Sequence, residues 1–116
     1  MEIKLKIWLE KDSHVVFGKG RDRLLRAIDE CESLNAAVKK INMTYRGAWG
    51  RLKASEERLN IRLVEPSGKG MRLTAEGKAL LEEYDRLLKD LDSLVNRSAA
   101  RFRHLLEHPS GKDAAR

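Results

Sequence analysis

The chain has 116 residues, 41% of them hydrophobic and 36% charged, with a formal net charge of +6. This length accommodates one domain with a modest core and an appendage, but not two full domains. No apolar run approaches the roughly 20 residues needed to cross a bilayer, and the opening M-E-I-K-L-K does not fit a signal peptide. We therefore expect a cytoplasmic protein with no membrane partner. The single cysteine, Cys31, excludes an internal disulfide and a multi-cysteine metal site.

The first 20 residues are predicted to form a β-hairpin followed by a joint. Apolar residues alternate with lysines and a tryptophan from residue 3 to residue 9, which is the period of a half-buried strand. Residues 11–13 predict a turn, and residues 15–17 predict the returning strand. The G-K-G sequence at 18–20 lacks the spacing of a phosphate-binding loop. We expect it to be a flexible joint.

Two short helices are predicted next, in the spacing of a helix-turn-helix. The first covers about residues 22–32, and its inward positions recur at helical spacing: Leu24, Leu25, Ile28 and Cys31. Ser33 is the predicted cap of the second helix, which covers 34–41. That helix stops at Asn42, a residue that tolerates the left-handed conformation of a sharp turn. Only a few residues then separate it from the next helical pattern.

The segment 44–59, T-Y-R-G-A-W-G-R-L-K-A-S-E-E-R-L, is predicted to be a helix with Thr44 as its N-cap. Its inward positions recur at spacings of three and four: Ala48, Leu52, Ser55 and Leu59. The opposite side is aromatic and cationic, and it carries five residues that we call the α3 face: Tyr45, Arg46, Trp49, Gly50 and Lys53. Such a face suits an anionic, stackable partner, so nucleic acid is the first candidate.

A second hairpin, or wing, is predicted after this helix, with strands at 61–64 and 71–73 and a turn at 66–70. Lys69 and Arg72 on the wing are expected to reach phosphates or the minor groove. From residue 33 to residue 73 the sequence has nine basic and three acidic residues, and 9 − 3 = +6 equals the whole net charge. The excess positive charge thus lies in the proposed interface, as a polyanion-binding surface requires.

The segment 74–107 is predicted to be one long helix capped by Thr74. Its apolar residues recur at alternating spacings of four and three and form a predicted dimerisation seam: Leu80, Tyr84, Leu87, Leu91, Leu94, Phe102 and Leu105. A helix of roughly 33 residues extends about 50 Å and is longer than so small a domain. We therefore expect the seam to pair with a second copy. The tail 108–116 is polar and is expected to be disordered.

Four runs of the sequence carry a resemblance to a known family: N-A-A-V-K-K-I-N-M-T-Y-R-G-A-W-G-R-L (35–52), L-N-I-R-L-V-E (59–65), G-K-G-M-R-L-T-A-E-G (68–77) and L-L-E-E-Y (80–84). They resemble the N-terminal winged helix-turn-helix of ModE-type molybdate-responsive regulators and, more distantly, that of LysR-type regulators. The segment ahead of the first helix favours the ModE comparison. In ModE-type regulators molybdate-binding modules follow this domain. No such module is present in this sequence, so no small-molecule effector is expected.

The predicted fold is mainly α, of the α+β class: a winged helix-turn-helix with an N-terminal β-hairpin and a long C-terminal dimerisation helix. The expected divisions are 1–73 for the hairpin and DNA-binding domain, 74–107 for the helix and 108–116 for the tail. The predicted function is a sequence-specific transcription regulator that binds double-stranded DNA as a homodimer. The alternative is a non-catalytic adaptor that uses the helix-turn-helix and the long helix to bind proteins.

Eight residues are predicted to contact DNA: Thr44, Tyr45, Arg46, Trp49, Arg51, Lys53, Lys69 and Arg72. One pattern points elsewhere, because H-L-L-E-H at 104–108 matches the zinc-hydrolase pattern H-x-x-E-H. It lies at the end of a helix before a polar tail, where a third ligand and a substrate cleft are not expected. We therefore expect no enzyme activity, no metal and no cofactor.

Overall fold

The structure is a computed structural model that describes residues 1–68 and 70–109. The elements of this part are, in chain order, β1 (Leu9–Lys11), β2 (His14–Phe17), α1 (Lys19–Cys31), α2 (Leu34–Lys40), α3 (Tyr45–Leu59), β3 (Val64–Ser67), β4 (Gly70–Leu73) and α4 (Ala75–Glu107). The strands form two antiparallel hairpins, β1–β2 and β3–β4. A helix-turn-helix followed by a hairpin is a winged helix-turn-helix, so the predicted fold is confirmed. Among the helices described, none is long and apolar enough to span a membrane.

The chain divides into two compact units. One unit is Ile7–Tyr84, and the other joins Met1–Lys6 to Asp85–Arg116. The start of α4 belongs to the first unit, because Leu81 and Tyr84 are part of its buried core. The division between units therefore falls later in the chain than residue 73, where the sequence analysis placed it.

One hydrophobic core lies within Ile7–Tyr84, and its largest members come from β2, α1, α3 and the α3–β3 loop: Phe17, Leu24, Leu25, Ile28, Leu52 and Leu63. The rings of Phe17 and Tyr84 pack edge to face, with centroids 5.0 Å apart. Burial raises the pKa of the Tyr84 hydroxyl above its ordinary value, and the nearby charge of Asp22 raises it further. Tyr84 is only 4% exposed, so its side chain belongs to this core. It is therefore not exposed on the dimerisation seam in which the sequence analysis placed it.

The N-terminal hairpin is shorter than predicted. β1 begins at Leu9, which lies opposite Phe17 at the end of β2, so no residue of β2 remains to pair with positions 3–7. Residues 3–8, whose alternation predicted a strand, are therefore not part of a paired strand in this structure. The turn falls at Asp12 and Ser13, whose φ angles are 52° and 66°. The predicted joint at 18–20 is also wrong, because Gly18 is the N-cap of α1 and the helix starts at Lys19.

The caps of the helix-turn-helix follow the prediction. The Ser33 hydroxyl accepts the Ala36 N–H at 3.1 Å, and the Thr44 hydroxyl accepts the Gly47 N–H at 3.0 Å. Each bond satisfies a backbone donor that the first helical turn leaves unpaired. Asn42 has a φ of 56°, which confirms the left-handed turn between α2 and α3. Local hydrogen bonds therefore fix where each of the two helices begins.

The strands of the wing are shifted relative to the prediction, because β3 begins at Val64 and extends to Ser67. α3 ends at Leu59, and its C-cap Asn60 has a φ of 56°. The carboxylate of Glu56 then accepts the N–H groups of Leu63 and Val64, so the chain enters β3 only at Val64. Pro66, predicted in the turn, lies in β3 opposite Met71. Proline is tolerated there because each strand of a two-stranded hairpin is an edge strand.

Two glycines allow close contacts between backbone segments. A Cβ at Gly70 would overlap the Glu32 carbonyl oxygen, and a Cβ at Gly77 would overlap that of Leu63. The same carbonyls accept backbone N–H groups, since Met71 donates to Glu32 at 3.0 Å and Thr74 donates to Leu63 at 3.0 Å. These contacts attach the wing to the end of α1 and the start of α4 to the α3–β3 loop.

We predict that Gly70→Ala destabilises the protein by about 1–3 kcal/mol, because the added methyl group would overlap a carbonyl held by a hydrogen bond. Gly20→Ala is the matched control, since nothing lies within 4 Å of a Cβ at that helical position. The control is expected to leave stability unchanged or to raise it slightly. Urea unfolding followed by circular dichroism measures both variants. Equal midpoints for the two would contradict the prediction.

Candidate nucleic-acid interface

The N-terminal half of α3 presents an exposed aromatic and cationic surface. Tyr45 is 53% exposed and Trp49 is 40% exposed, while Arg46 between them is also exposed. The opposite side of the helix is buried through Ala48 and Leu52. Within the described part of the chain, Arg46 has no hydrogen-bond or ion-pair partner. Its five N–H donors are therefore available to an external acceptor.

Lys53 is positioned beside Trp49 by two internal contacts. Its Nζ atom lies 4.6 Å from the centroid of the Trp49 ring, within the range of a cation–π interaction. The same atom lies 3.3 Å from Oε1 of Glu56. Lys53 thus extends the α3 face from Trp49 towards the wing, although the Glu56 carboxylate offsets part of its charge.

Thr44 and Arg51 have different surroundings. The Thr44 hydroxyl accepts the helix-capping hydrogen bond described above, and the residue is exposed. Arg51 is also exposed, and its NH1 group donates to the Sδ atom of Met43 at 3.3 Å. Arg51 therefore lies on the side of α3 that faces Met43, whereas Trp49 and Lys53 lie together on another side. The structure thus does not bring all the predicted α3 residues onto one face.

The wing contributes one described residue to the predicted site. The Nε group of Arg72 donates to Oε2 of Glu65 at 2.8 Å, and the two residues are paired across β3 and β4. Both side chains are substantially exposed. Exposed ion pairs contribute only about 0–1 kcal/mol, so a phosphate could replace Glu65 at small cost. Lys69, the other predicted wing residue, lies outside the described residues.

Two adjacent buried polar residues hold the C-terminal half of α3 in place. The Ser55 hydroxyl donates to the Val16 carbonyl at 2.7 Å and accepts the Nε–H of Arg21 at 2.5 Å. Oε2 of Glu56 accepts the backbone N–H groups of Leu63 at 2.8 Å and Val64 at 3.4 Å. The sequence analysis placed Ser55 inward but gave Glu56 no role. Its only local signal is its position beside the inward stripe.

We predict that Glu56→Ala lowers stability by about 1–3 kcal/mol, since it leaves two buried backbone N–H groups without an acceptor. Glu57→Ala removes the same charge at the next, exposed position. It is expected to change stability by no more than about 0.5 kcal/mol. Thermal unfolding of both variants provides the comparison. Equal unfolding temperatures for the two variants would contradict the role assigned to Glu56.

Comparison with known proteins places this geometry in a family. The family model described as bacterial regulatory helix-turn-helix protein, lysR family, matches residues 22–78. Residues 22–78 form a LysR-family helix-turn-helix domain. The HTH-type transcriptional regulator YofA of Bacillus subtilis is 34% identical over 70 residues, which cover 60% of this chain. The transcriptional regulator ModE of Haemophilus influenzae is 36% identical over 72 residues, which cover 58% of this chain. Both parts of the predicted resemblance, to ModE and to LysR-type proteins, are therefore confirmed.

A solved structure shows the same arrangement. The crystal structure of the CbnR DNA-binding domain in complex with DNA matches with a TM-score of 0.57 and 29% identity, over 71% of this chain and 94% of that one. The chain spans 25% of the length of YofA and 28% of that of ModE. The matched relatives are transcriptional regulators, which favours the predicted regulator over the alternative adaptor.

Proposed function

We propose that this domain binds double-stranded DNA by placing the N-terminal half of α3 in the major groove. The second helix of a helix-turn-helix enters the major groove with its N-terminal residues nearest the base edges. The observation that carries the proposal is Arg46, an exposed arginine without a described internal partner, in the same first turns of α3 as the exposed rings of Tyr45 and Trp49. An arginine in this position suits a bidentate contact with guanine.

The remaining predicted residues are assigned to the DNA backbone. Thr44 and Arg51 are exposed near the start and the middle of α3, and Lys53 adjoins Trp49. Lys69 and Arg72 would contact phosphates from the wing. The charge excess of residues 33–73 supports this assignment, because neutralising phosphates provides most of the affinity for any duplex. The similar DNA-binding domain of CbnR was crystallised in complex with DNA.

We infer that the domain has no catalytic activity. Transcription-regulator domains of this kind normally act by binding. The H-x-x-E-H pattern lies at the exposed end of α4, where the rings of His104 and His108 have centroids 4.8 Å apart. Among the residues that the structure describes, no group of three or more histidine, cysteine or carboxylate side chains is arranged to hold a metal ion.

We predict that Arg46→Ala weakens binding to a selected duplex by roughly 1–3 kcal/mol and weakens binding to random duplex less, because a base-edge contact is lost. Arg103→Ala removes an equal charge from the exposed end of α4 and serves as the control. Fluorescence anisotropy with both duplexes measures the losses. Equal losses on selected and random DNA would show that Arg46 contacts phosphate only.

We also propose that the distal part of α4 joins two copies of the chain. Apolar side chains are exposed along it: Leu87 at 40%, Leu94 at 48%, Phe102 at 50% and Leu105 at 57%. Leu91, between them, is half-buried. An apolar stripe this long favours association when it is exposed on a monomer. Leu80 packs against the core of the first unit and, like Tyr84, contributes less than predicted to the seam.

A dimer of this kind explains how one short α3 could select a site. A two-fold axis would present two copies of α3 to half-sites separated by at least one helical turn of DNA. The preferred site would then be an imperfect palindrome. Binding to both half-sites would also be much tighter than binding to one, because the second contact is intramolecular.

We predict that replacing Leu87 and Leu94 together with lysine produces a monomer, since the substitutions place four charges in a two-fold seam. Lys89→Ala, at an exposed position in the same stretch of α4, is the control and should remain dimeric. Sedimentation equilibrium at micromolar concentration measures the mass of each protein. A monomeric unmodified protein, or a dimeric double variant, would contradict the proposal.

A further inference from the structure

Three arginines lie along a side of α3 that the α3 face does not include. Arg51 and Arg58 are seven residues apart on α3, and Ser55 lies between them. Residues at this spacing share one side of a helix. Arg21 in α1 reaches the same side, because its Nε–H donates to the Ser55 hydroxyl at 2.5 Å. We call Arg21, Arg51 and Arg58 the arginine cluster.

Each member of the arginine cluster donates an internal hydrogen bond to a neutral acceptor. Arg21 donates to Ser55 as described, and Arg51 donates to the Sδ atom of Met43 at 3.3 Å. The NH1 group of Arg58 donates to the Val15 carbonyl at 2.5 Å. A guanidinium has five N–H donors, so most donors of each side chain have no described partner. Fixed guanidinium groups lose less entropy on binding a phosphate than free ones.

Unlike the paired cations Arg26 and Arg72, the arginine cluster has no carboxylate partner among the described residues. Within the described residues, Arg26 pairs with Asp22, and Arg72 pairs with Glu65. No described ion pair involves a member of the arginine cluster. Its positive charge is therefore not neutralised by an internal ion pair.

Electrostatics supports the same conclusion. Burial lowers the pKa of the Arg21 guanidinium, and the charges of Arg58 and Arg51 lower it further. Arginine nevertheless remains protonated at neutral pH. Three like charges held near one another oppose folding, and an anion bound between them would remove that repulsion. The cluster is thus maintained against an electrostatic cost in the free protein.

We propose that the arginine cluster is a second phosphate-binding surface, which holds the sugar–phosphate backbone of duplex DNA beside the groove that α3 enters. The inference rests on the proposed DNA binding and extends it to Arg21 and Arg58, which the sequence analysis did not include. Arg51 and Arg58 are separated by about 10 Å along the helix axis, so the surface can contact more than one phosphate. Such contacts set orientation and affinity but do not read bases.

The proposal gives the N-terminal hairpin a function. β2 supplies the Val15 carbonyl that orients Arg58 and the Val16 carbonyl that orients Ser55. Ser55 in turn holds Arg21. The hairpin therefore acts as a positioning element for the arginine cluster, with no contact of its own to DNA required.

The test compares the salt dependence of duplex binding for three double variants of the full chain. Arg51→Gln with Arg58→Gln removes two charges from the cluster. Arg51→Lys with Arg58→Lys retains both charges, and Arg97→Gln with Arg103→Gln removes two charges from exposed positions of α4. Fluorescence anisotropy between 50 and 200 mM salt gives the slope of log affinity against log salt. Urea unfolding of each variant checks that it is folded at the temperature of the assay.

We expect the cluster glutamine variant to lower the slope of log affinity against log salt by about two. Between 50 and 200 mM salt, its loss of affinity should then be about tenfold smaller than that of the unmodified protein. The loss should be equal on selected and random duplexes. The lysine variant and the α4 variant should keep the slope of the unmodified protein.

If the unmodified protein binds duplex with a steep slope that the cluster glutamine variant retains, this inference is overturned and DNA binding through α3 stands. If the unmodified protein shows no salt-dependent duplex binding, the proposed function fails, and this inference fails with it. The same assay is repeated with single-stranded RNA of the same length. If the cluster glutamine variant loses affinity only for this RNA, the inference is also overturned.

Discussion

The position of α3 depends on hydrogen bonds made by two buried neighbours, Ser55 and Glu56. Ser55 connects the helix to β2 through the Val16 carbonyl, and Glu56 connects it to the start of the wing through two backbone N–H groups. A buried carboxylate is costly unless it is hydrogen-bonded, and here its acceptor sites are occupied by groups that would otherwise be unpaired. These bonds fix the helix on two sides while its N-terminal half remains exposed for binding.

The arrangement separates the residues that hold α3 from those that would bind DNA. Internal bonds are concentrated in its C-terminal half, whereas Tyr45, Arg46 and Trp49 in the first turns have few internal partners. Groups that must recognise a base edge have to be exposed, and their rigidity must come from the element that carries them. The Thr44 cap and the left-handed Asn42 provide this rigidity at the other end of the helix. Positioning and binding are therefore assigned to different parts of the same helix.

The features that the sequence predicted well depend on residues close together in the chain. The Ser33 and Thr44 caps bond three residues ahead, and the buried side of α3 follows from helical spacing alone. Features that depend on distant residues were missed. The seam pattern runs through Tyr84, but Phe17 packs against that ring from a distant part of the sequence. The start of β3 was misplaced for the same reason, since local strand propensity does not reveal the bonds from Glu56.

The most direct test of DNA binding through α3 uses the two tryptophans of the chain, one on α3 and one before β1. Their indole N–H groups give separate signals in a nitrogen–proton correlation spectrum, so each reports on its own surroundings. The Trp8 indole donates to Glu10 in the N-terminal hairpin, while Trp49 lies on the α3 face. During titration with duplex DNA the account predicts a large shift or broadening of the Trp49 signal and little change at Trp8. A shift of the Trp8 signal with an unchanged Trp49 signal would contradict it.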